Sequence, residues 1–424
     1  MMDHPQRLAL HNEVHARPPE PMQSPMAIAH VVMWVDRDSA QASRTHLARL
    51  LHDHHLPAPD AHTNHVRMDL GSFRLRWELH TEFVSWTFMR PISDPQFNTA
   101  SPLTAIQAVP QQWLSQLPGE CLARVHLWLL ASSTHDMHAV LPHVLHEDTL
   151  VASTVADGHG EVYTDFQLHP DGYGRMVLLA GSLTPRRQGR LVQQLLEIET
   201  YRMAGLLGLP AARVASQVLA DAERELAALA QAIRSAESSD EAGLLDRLTR
   251  LAGEVEGQYA ATHSRFSATR AYFELVDRRV RDIAESRMSG MQTIAEFMER
   301  RLSPARSTCD WAARRQNALS ERVSRMSNLL RTRVDFEQQQ SSQELLTTMN
   351  QRQDVQLKLQ STVEGLSVAA ITYYFTGLVS YLAKGAEKFG WPFAADITAA
   401  CALPFVGLVV WLSMRRLHNK VFKA

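Results

Sequence analysis

Apolar residues form two unbroken runs near the end of the chain, Leu366 to Ala383 and Ile397 to Met414. Each run holds about eighteen residues without a charge, and as a helix it nearly matches a hydrocarbon core about 30 Å thick. A helix of that length in a soluble protein usually keeps a polar stripe, whereas the second run has only Thr398 and Ser413 as polar residues. The pattern therefore predicts a transmembrane hairpin rather than two core helices.

The residues around these runs predict the topology. Lys384 to Lys388 and Trp391-Pro392 separate the runs with charge, an interfacial aromatic residue and a helix breaker. Basic residues follow the second run: Arg415, Arg416, Lys420 and Lys423. The positive-inside rule then predicts a multi-pass protein with its N-terminus and C-terminus in the cytoplasm. The first ten residues lack the pattern of a signal peptide.

The first part of the chain has short apolar runs with partial alternation, which is typical of strands. Strands are predicted at Met26 to Trp34, Val66 to Leu70, Phe73 to Leu79, Phe83 to Met89, Arg124 to Leu130, Thr149 to Val155, Glu161 to Leu168 and Gly174 to Ala180. Helices are predicted from Asp36, which can cap the first turn, to His54, and near Pro110 to Leu117. Residues 1–184 are therefore predicted to form a cytoplasmic mixed α/β domain.

Strand signals end at Pro185, and long helices are predicted after it. A helical region, 185–303, contains helices at 186–207, 210–236 and 241–301. A stalk helix, 304–365, is predicted to begin near Ala305 and to lead into the hairpin with its basic tail, 366–424. Because so long a helix is unstable alone, we expect it to pack against partner helices.

The stalk carries a coiled-coil pattern and a segregated charge. Leu319, Val323, Met326 and Leu330 step by four, three and four residues. Arginines dominate from Arg300 to Arg333, whereas acidic residues outnumber basic ones from Asp221 to Glu256. The acidic helices either pack antiparallel on the basic stalk, or both faces are solvated.

Composition and the absence of known motifs argue against several classes of function. The net charge of −2 provides no field for nucleic acid, so no nucleic-acid partner is expected. The three cysteines offer neither a disulfide framework nor a CxxC metal site. Phosphate-binding glycine motifs and a nucleophile with a recognisable base are absent from the sequence. We therefore expect no enzyme and no cofactor.

Candidate binding residues cluster near the start of the chain: His11, Asn12, Glu13, His15 and Arg17. They either bind a metal, line a groove, or hold an extended segment against the domain, because Pro18 and Pro19 disfavour a helix there. Further histidines occur at His52 to His55 and at His143 and His146, the last two on one face if helical. The sequence leaves the metal unknown.

Small and hydroxyl residues form a stripe at the membrane entry. Its members are Ser361, Gly365, Val368, Thr372 and Thr376. Such a stripe either lets two helices approach closely or lines a narrow pore in an oligomer. Glu364 is a candidate for an acidic ring that concentrates divalent cations at the pore entrance.

Two family resemblances attach to these segments. His11 to Pro19 (HNEVHARPP), Thr362 to Ser367 and Tyr373-Tyr374 resemble the uncharacterised bacterial domain-of-unknown-function family 3422, over nearly the whole chain. That resemblance implies a membrane-anchored protein of the bacterial inner (cytoplasmic) membrane. The order of elements is similar to the CorA-type magnesium channels, although their Gly-Met-Asn motif is replaced by Thr376-Gly-Leu378 and Lys384-Gly-Ala386.

Two functions are therefore expected as alternatives. The first is a homo-oligomeric cation channel, transporter or derived regulator of CorA-like build. The second is a membrane-anchored binding or scaffold protein, whose cytoplasmic domain holds a partner or ligand.

Overall fold

The computed structural model describes residues 4, 6–7, 10–11, 18–60, 63–93, 102–131, 137–235, 240–388, 390 and 392–421. It consists of two compact units. The first comprises Met1–Arg234 with Asp246–Ser327, and the second comprises Ser235–Leu245 with Asn328–Ala424.

A single mixed sheet organises the first unit. In the described residues its strands are β1 (Met26–Trp34), β2 (His65–Asp69), β3 (Arg74–Leu79), β4 (Phe83–Pro91), β5 (Glu120–Leu130), β6 (Val151–Val155), β7 (Gly160–Thr164), β8 (Gly174–Leu179) and β9 (Ser286–Arg287). Their order is β2-β3-β4-β1-β5-β8-β7-β6-β9. The β5–β8 pair is parallel, whereas β1 is antiparallel to both β4 and β5.

The helices lengthen toward the end of the chain. Those in the described residues are α1 (Arg37–Asp53), α2 (Gln111–Leu114), α3 (Met137–Val144), α4 (Pro185–Leu206), α5 (Gly208–Ser235), α6 (Glu241–Asp282), α7 (Ile294–Glu387) and α8 (Ala395–Val421). The predicted cap of α1 is confirmed: Asp36 accepts from the Ser39 backbone N–H, and Ser39 Oγ accepts from the Asp36 N–H. The predicted order of an α/β sheet domain, long helices and a C-terminal apolar helix is also confirmed.

The helix break predicted between residue 301 and Ala305 is wrong, because α7 continues through Pro304. Burial of Leu302 and Ala305 beside it offsets the single backbone hydrogen bond that proline removes. The chain is interrupted earlier, between α6 and α7, where β9 joins the sheet. There the Glu285 carboxylate accepts from the backbone N–H groups of Ile294 and Ala295, at 2.9 and 2.7 Å, and so caps α7.

The pleat of the sheet produces two cores. One face packs Trp77, Trp86 and Trp128 against α1, and all three indoles are buried. The opposite face packs Ile28 and Leu127 against α4, α6 and the start of α7. Because side chains alternate along each strand, both faces of this sheet are covered by helices rather than one face being exposed to water.

The contacts between α6 and α7 show that the two helices are antiparallel. Thr262 Oγ1 lies 3.1 Å from Gln316 Oε1, and Arg306 Nη1 lies 2.7 Å from Asp277 Oδ2. From α5, Glu223 receives two hydrogen bonds from Arg315, at 2.8 and 2.6 Å. Glu223, which belongs to the acidic segment Asp221 to Glu256, therefore pairs with an arginine of α7, and α6 lies antiparallel to α7.

Within the second unit, α7 and α8 approach each other closely at one glycine. A Cβ atom built on Gly407 would lie 3.6 Å from Cγ2 of Thr372. Farther from this contact, every residue of α7 from 338 to 359 is exposed. That stretch includes the apolar side chains of Leu345, Met349 and Leu359.

By length and composition, three helical stretches in the described residues are apolar enough to cross a membrane: Pro185–Ser235, Ile294–Glu387 and Ala395–Arg416. Within the protein, 33% of the apolar window in Pro185–Ser235 is buried, against 6% and 0% in the other two. The first stretch supplies Leu191 and Leu195 to the core beneath the sheet. The other two keep their apolar surface exposed.

Candidate functional site

A polar cavity of about 280 Å³ lies between the sheet and α4. Its floor is formed by side chains of β1, β3 and β4, and its wall by α4 and the end of α6. Polar and charged residues dominate the lining: His30, Arg76, Glu78, His80, Ser85, Thr87, Gln193, Glu197, Thr200 and Arg279. The volume of this polar cavity is close to the lower limit of about 300 Å³ for small-molecule sites, so the cavity suits a small ligand.

A buried ion pair forms the centre of the floor. Arg76 Nη2 donates to Glu78 Oε1 at 2.6 Å, and the two residues are 6% and 8% exposed. Burial alone would raise the pKa of the Glu78 carboxyl, but the charge and hydrogen bond of Arg76 outweigh it and lower that pKa. Because desolvating two charges costs several kcal/mol each, such a pair is weak evidence for stability and better evidence for a site.

A chain of polar contacts continues from this pair to the rim. Arg76 Nη1 donates to Gln193 Oε1 at 3.2 Å, and Gln193 Nε2 donates to Glu197 Oε1 at 2.7 Å. Glu197 in turn accepts from Arg279, which also donates to Asp282 at 2.9 Å. The polar cavity therefore presents alternating donors and acceptors with balanced charge.

His30 occupies the inner end of the cavity between two threonines. Thr200 Oγ1 donates to the Leu196 carbonyl oxygen at 2.8 Å and therefore accepts from His30 Nε2 at 3.0 Å. His30 Nδ1 then accepts from Thr87 Oγ1 at 2.8 Å. Burial lowers the pKa of His30 to about 4, so the imidazole is neutral at pH 7.

Acid is expected to destabilise the protein through His30. The unfolded side chain titrates near pH 6.5, whereas the folded one resists protonation until about pH 4. Stability is therefore complete above pH 6.5 and is lost as pH falls toward 4, by about 3 kcal/mol from this residue. Between pH 7 and 4, the midpoint of thermal unfolding should depend less on pH in His30→Gln than in the wild type. The exposed control His52→Gln should keep the pH dependence of the wild type. Equal profiles for wild type and His30→Gln would contradict this assignment.

The N-terminal candidates are only partly described. His11 is exposed, whereas Asn12, Glu13, His15 and Arg17 lie outside the described residues. The chain after them runs beside the cavity: Glu20 pairs with Arg74 at 2.6 Å, and Met22 contributes to the lining.

The pore-lining candidates are spread along α7. Ser361 and Gly365 are exposed, and Glu364 is half-buried, with Gln360 Nε2 3.4 Å from its Oε1. Thr372 and Thr376 donate their hydroxyl hydrogens to α7 carbonyl oxygens one turn earlier, at 2.7 and 2.8 Å. Of the five, Thr372 is the one beside Gly407 of α8.

His143 and His146 were expected to share one face of a helix, but α3 ends at Val144 and His146 lies beyond it. His146 instead meets Asp165 and His169. His52 and His55 are exposed at the end of α1.

Sequence reasoning missed the polar cavity because its residues alternate with apolar ones. In β3, Arg76 and Glu78 alternate with Leu75 and Trp77, which is the pattern of a strand with one solvated face. The sequence did offer one sign of the cavity, because Gln193 and Glu197 stand one helical turn apart among the apolar residues of α4. Helices commonly carry such residues on their solvated side, so this sign was weak.

The fold and the cavity together define an α/β protein with a buried charged site, extended by long helices that end in two exposed apolar stretches. The chain belongs to the family described as "Protein of unknown function (DUF3422)", whose model matches residues 2–421. No protein with a curated description matches the chain. No solved structure matches it either, so the CorA-type resemblance receives no support from known folds.

Proposed function

We propose that this protein is a membrane-anchored binding protein, whose cytoplasmic α/β domain binds a small polar ligand in the polar cavity. The observation that carries the proposal is the buried Arg76–Glu78 pair lining a cavity of ligand size. A charged pair that costs desolvation energy is retained more readily where its charges are used for recognition.

The anchor in this proposal is a two-helix transmembrane hairpin formed by the end of α7 and by α8. Support comes from their exposed apolar surface and from the close approach of Gly407 to Thr372. Small residues allow such an approach in lipid, where dispersion contacts rather than water drive helix pairing. Arg415 and Arg416 follow the second stretch, and by the positive-inside rule they support a C-terminus on the cytoplasmic side of the bacterial inner membrane.

The ligand class follows from the lining. Arg76 and Arg279 offer donors, Glu78 and Glu197 offer acceptors, and neutral His30 adds no charge. Because the two arginines and two glutamates of the lining balance each other, the net charge of a charged ligand would have no partner in the cavity. We therefore expect a zwitterionic or neutral polar molecule that satisfies donors and acceptors together.

Thermal unfolding of the full chain in detergent tests this proposal. The probes are zwitterionic amino acids, neutral sugars and, as a charged class, dicarboxylates. A ligand at about 100 times its Kd should stabilise the folded state by about 2.7 kcal/mol and raise the midpoint by a few degrees.

Two neighbouring glutamines provide matched variants. Gln193→Leu removes the bridge between Arg76 and Glu197 and should abolish the shift. Gln194→Leu makes the same change one residue outside the lining and should keep it. A probe that stabilises both variants equally binds elsewhere, and no shift with any probe would count against the proposed ligand class.

A homo-oligomeric cation channel is the second candidate. The favouring observation is the exposed stretch of α7 at residues 338–359, because a lone helix of that length needs partner helices. In a ring, Ser361, Gly365, Thr372 and Thr376 would line the axis, with Glu364 at the entrance for a divalent cation.

Mass by light scattering separates the two candidates. A closed ring would support the channel, and Thr372→Leu or Glu364→Ala should then change cation flux in vesicles without changing the mass. A monomer or dimer leaves no axial pore, and only the binding protein would remain.

A further inference from the structure

Three metal-ligating side chains meet at the end of β7. His146, Asp165 and His169 each offer one ligand atom, and these three atoms all lie within 4.8 Å of one another. Zn²⁺ binds imidazole nitrogen and carboxylate oxygen at about 2.0–2.2 Å, so ligand atoms around one ion lie about 3–4 Å apart. Small side-chain rotations would therefore bring the three atoms onto one ion.

The carboxylate is already oriented for this role. Asp165 is 1% exposed, and its Oδ2 accepts from the His146 backbone N–H at 3.0 Å. The Gln167 backbone N–H donates to Oδ1, also at 3.0 Å. Such fixed secondary contacts orient metal ligands and reduce the ordering cost of binding.

The two imidazoles differ in access to solvent. His169 is 7% exposed and lies 2.8 Å from Asp165 Oδ2 through its Nε2, whereas His146 is exposed. The rings are nearly parallel, with centroids 4.6 Å apart. An ion could therefore enter from the His146 side, and water could complete its coordination.

We propose that His146, Asp165 and His169 bind one divalent transition-metal ion of the zinc type. Two imidazoles and one carboxylate suit this class, and three protein ligands leave a further position for water. The ion would join the segment after α3 to the connection between β7 and β8. The site is separate from the polar cavity, because none of the three residues lines that cavity.

Calorimetric titration tests the proposal, using the full chain in detergent without a histidine tag and first freed of metal by a chelator. Zn²⁺ should bind with one ion per chain. Co²⁺ should give the visible absorption of a nitrogen- and oxygen-ligated site.

The neighbouring histidines provide the matched variants. His146→Ala removes an exposed ligand without disturbing the core and should weaken Zn²⁺ binding about tenfold or more. His143→Ala removes another exposed histidine nearby, outside the three-residue set, and should leave the affinity unchanged. Absence of saturable binding, or equal affinities of these two variants, would overturn the proposal.

Discussion

Replacing Glu78 by leucine is expected to destabilise the protein by about 3–5 kcal/mol. The substitution leaves the Arg76 guanidinium in a site where it is 6% exposed and has lost its ion-pair partner. An uncompensated buried charge costs far more than the net contribution of an intact pair. Thermal or chemical unfolding of the full chain in detergent measures the change.

The double variant Arg76→Met with Glu78→Leu is the control for this prediction. Removing both charges should recover most of the loss, since well-packed apolar residues replace a buried pair at little cost. The single and double variants together form a double-mutant cycle. If Glu78→Leu costs less than about 1 kcal/mol, then water reaches Arg76 and the pair is not desolvated.

Replacing Trp86 by alanine is expected to cost about 3–5 kcal/mol of unfolding free energy. Trp86 is 0% exposed and makes edge contacts with Trp77 and Trp113, at centroid distances of 6.2 and 5.3 Å. Truncation would remove these contacts and leave a cavity in the core under α1. The midpoint of thermal unfolding should fall by several degrees.

Trp311 provides the matched control, because it is 48% exposed on α7. Trp311→Ala removes the same indole and its contact with Arg315, yet should cost about 1 kcal/mol or less. If Trp86→Ala costs as little unfolding free energy as Trp311→Ala, then the core under α1 collapses around the missing Trp86 ring and leaves no cavity.

Neither prediction could have been made from the sequence, although the elements that hold these residues could. The strand of Glu78 and the strand of Trp86 were both predicted, with bounds close to those of β3 and β4. Periodicity does not tell which face of a strand is covered by tryptophans and which by a charged cavity. That choice depends on which helices pack on each face.

The sequence by itself determined the local features. Alternation marked the strands, and Asp36 marked the start of α1. The charge-free runs that begin at Leu366 and Ile397 marked the stretches able to cross a membrane. These features depend on neighbours within a few residues, because side-chain period, helix capping and length of apolar run are properties of the local chain.

Only the tertiary structure decided the rest. It continued α7 through Pro304, since packing outweighed the local penalty of proline. It brought Arg76 and Glu78 under Gln193, and it joined His146 to Asp165 and His169. Gln193 is 117 residues from Arg76, and His146 is 19 residues from Asp165. Their proximity follows from strand order and helix packing, which no local pattern encodes.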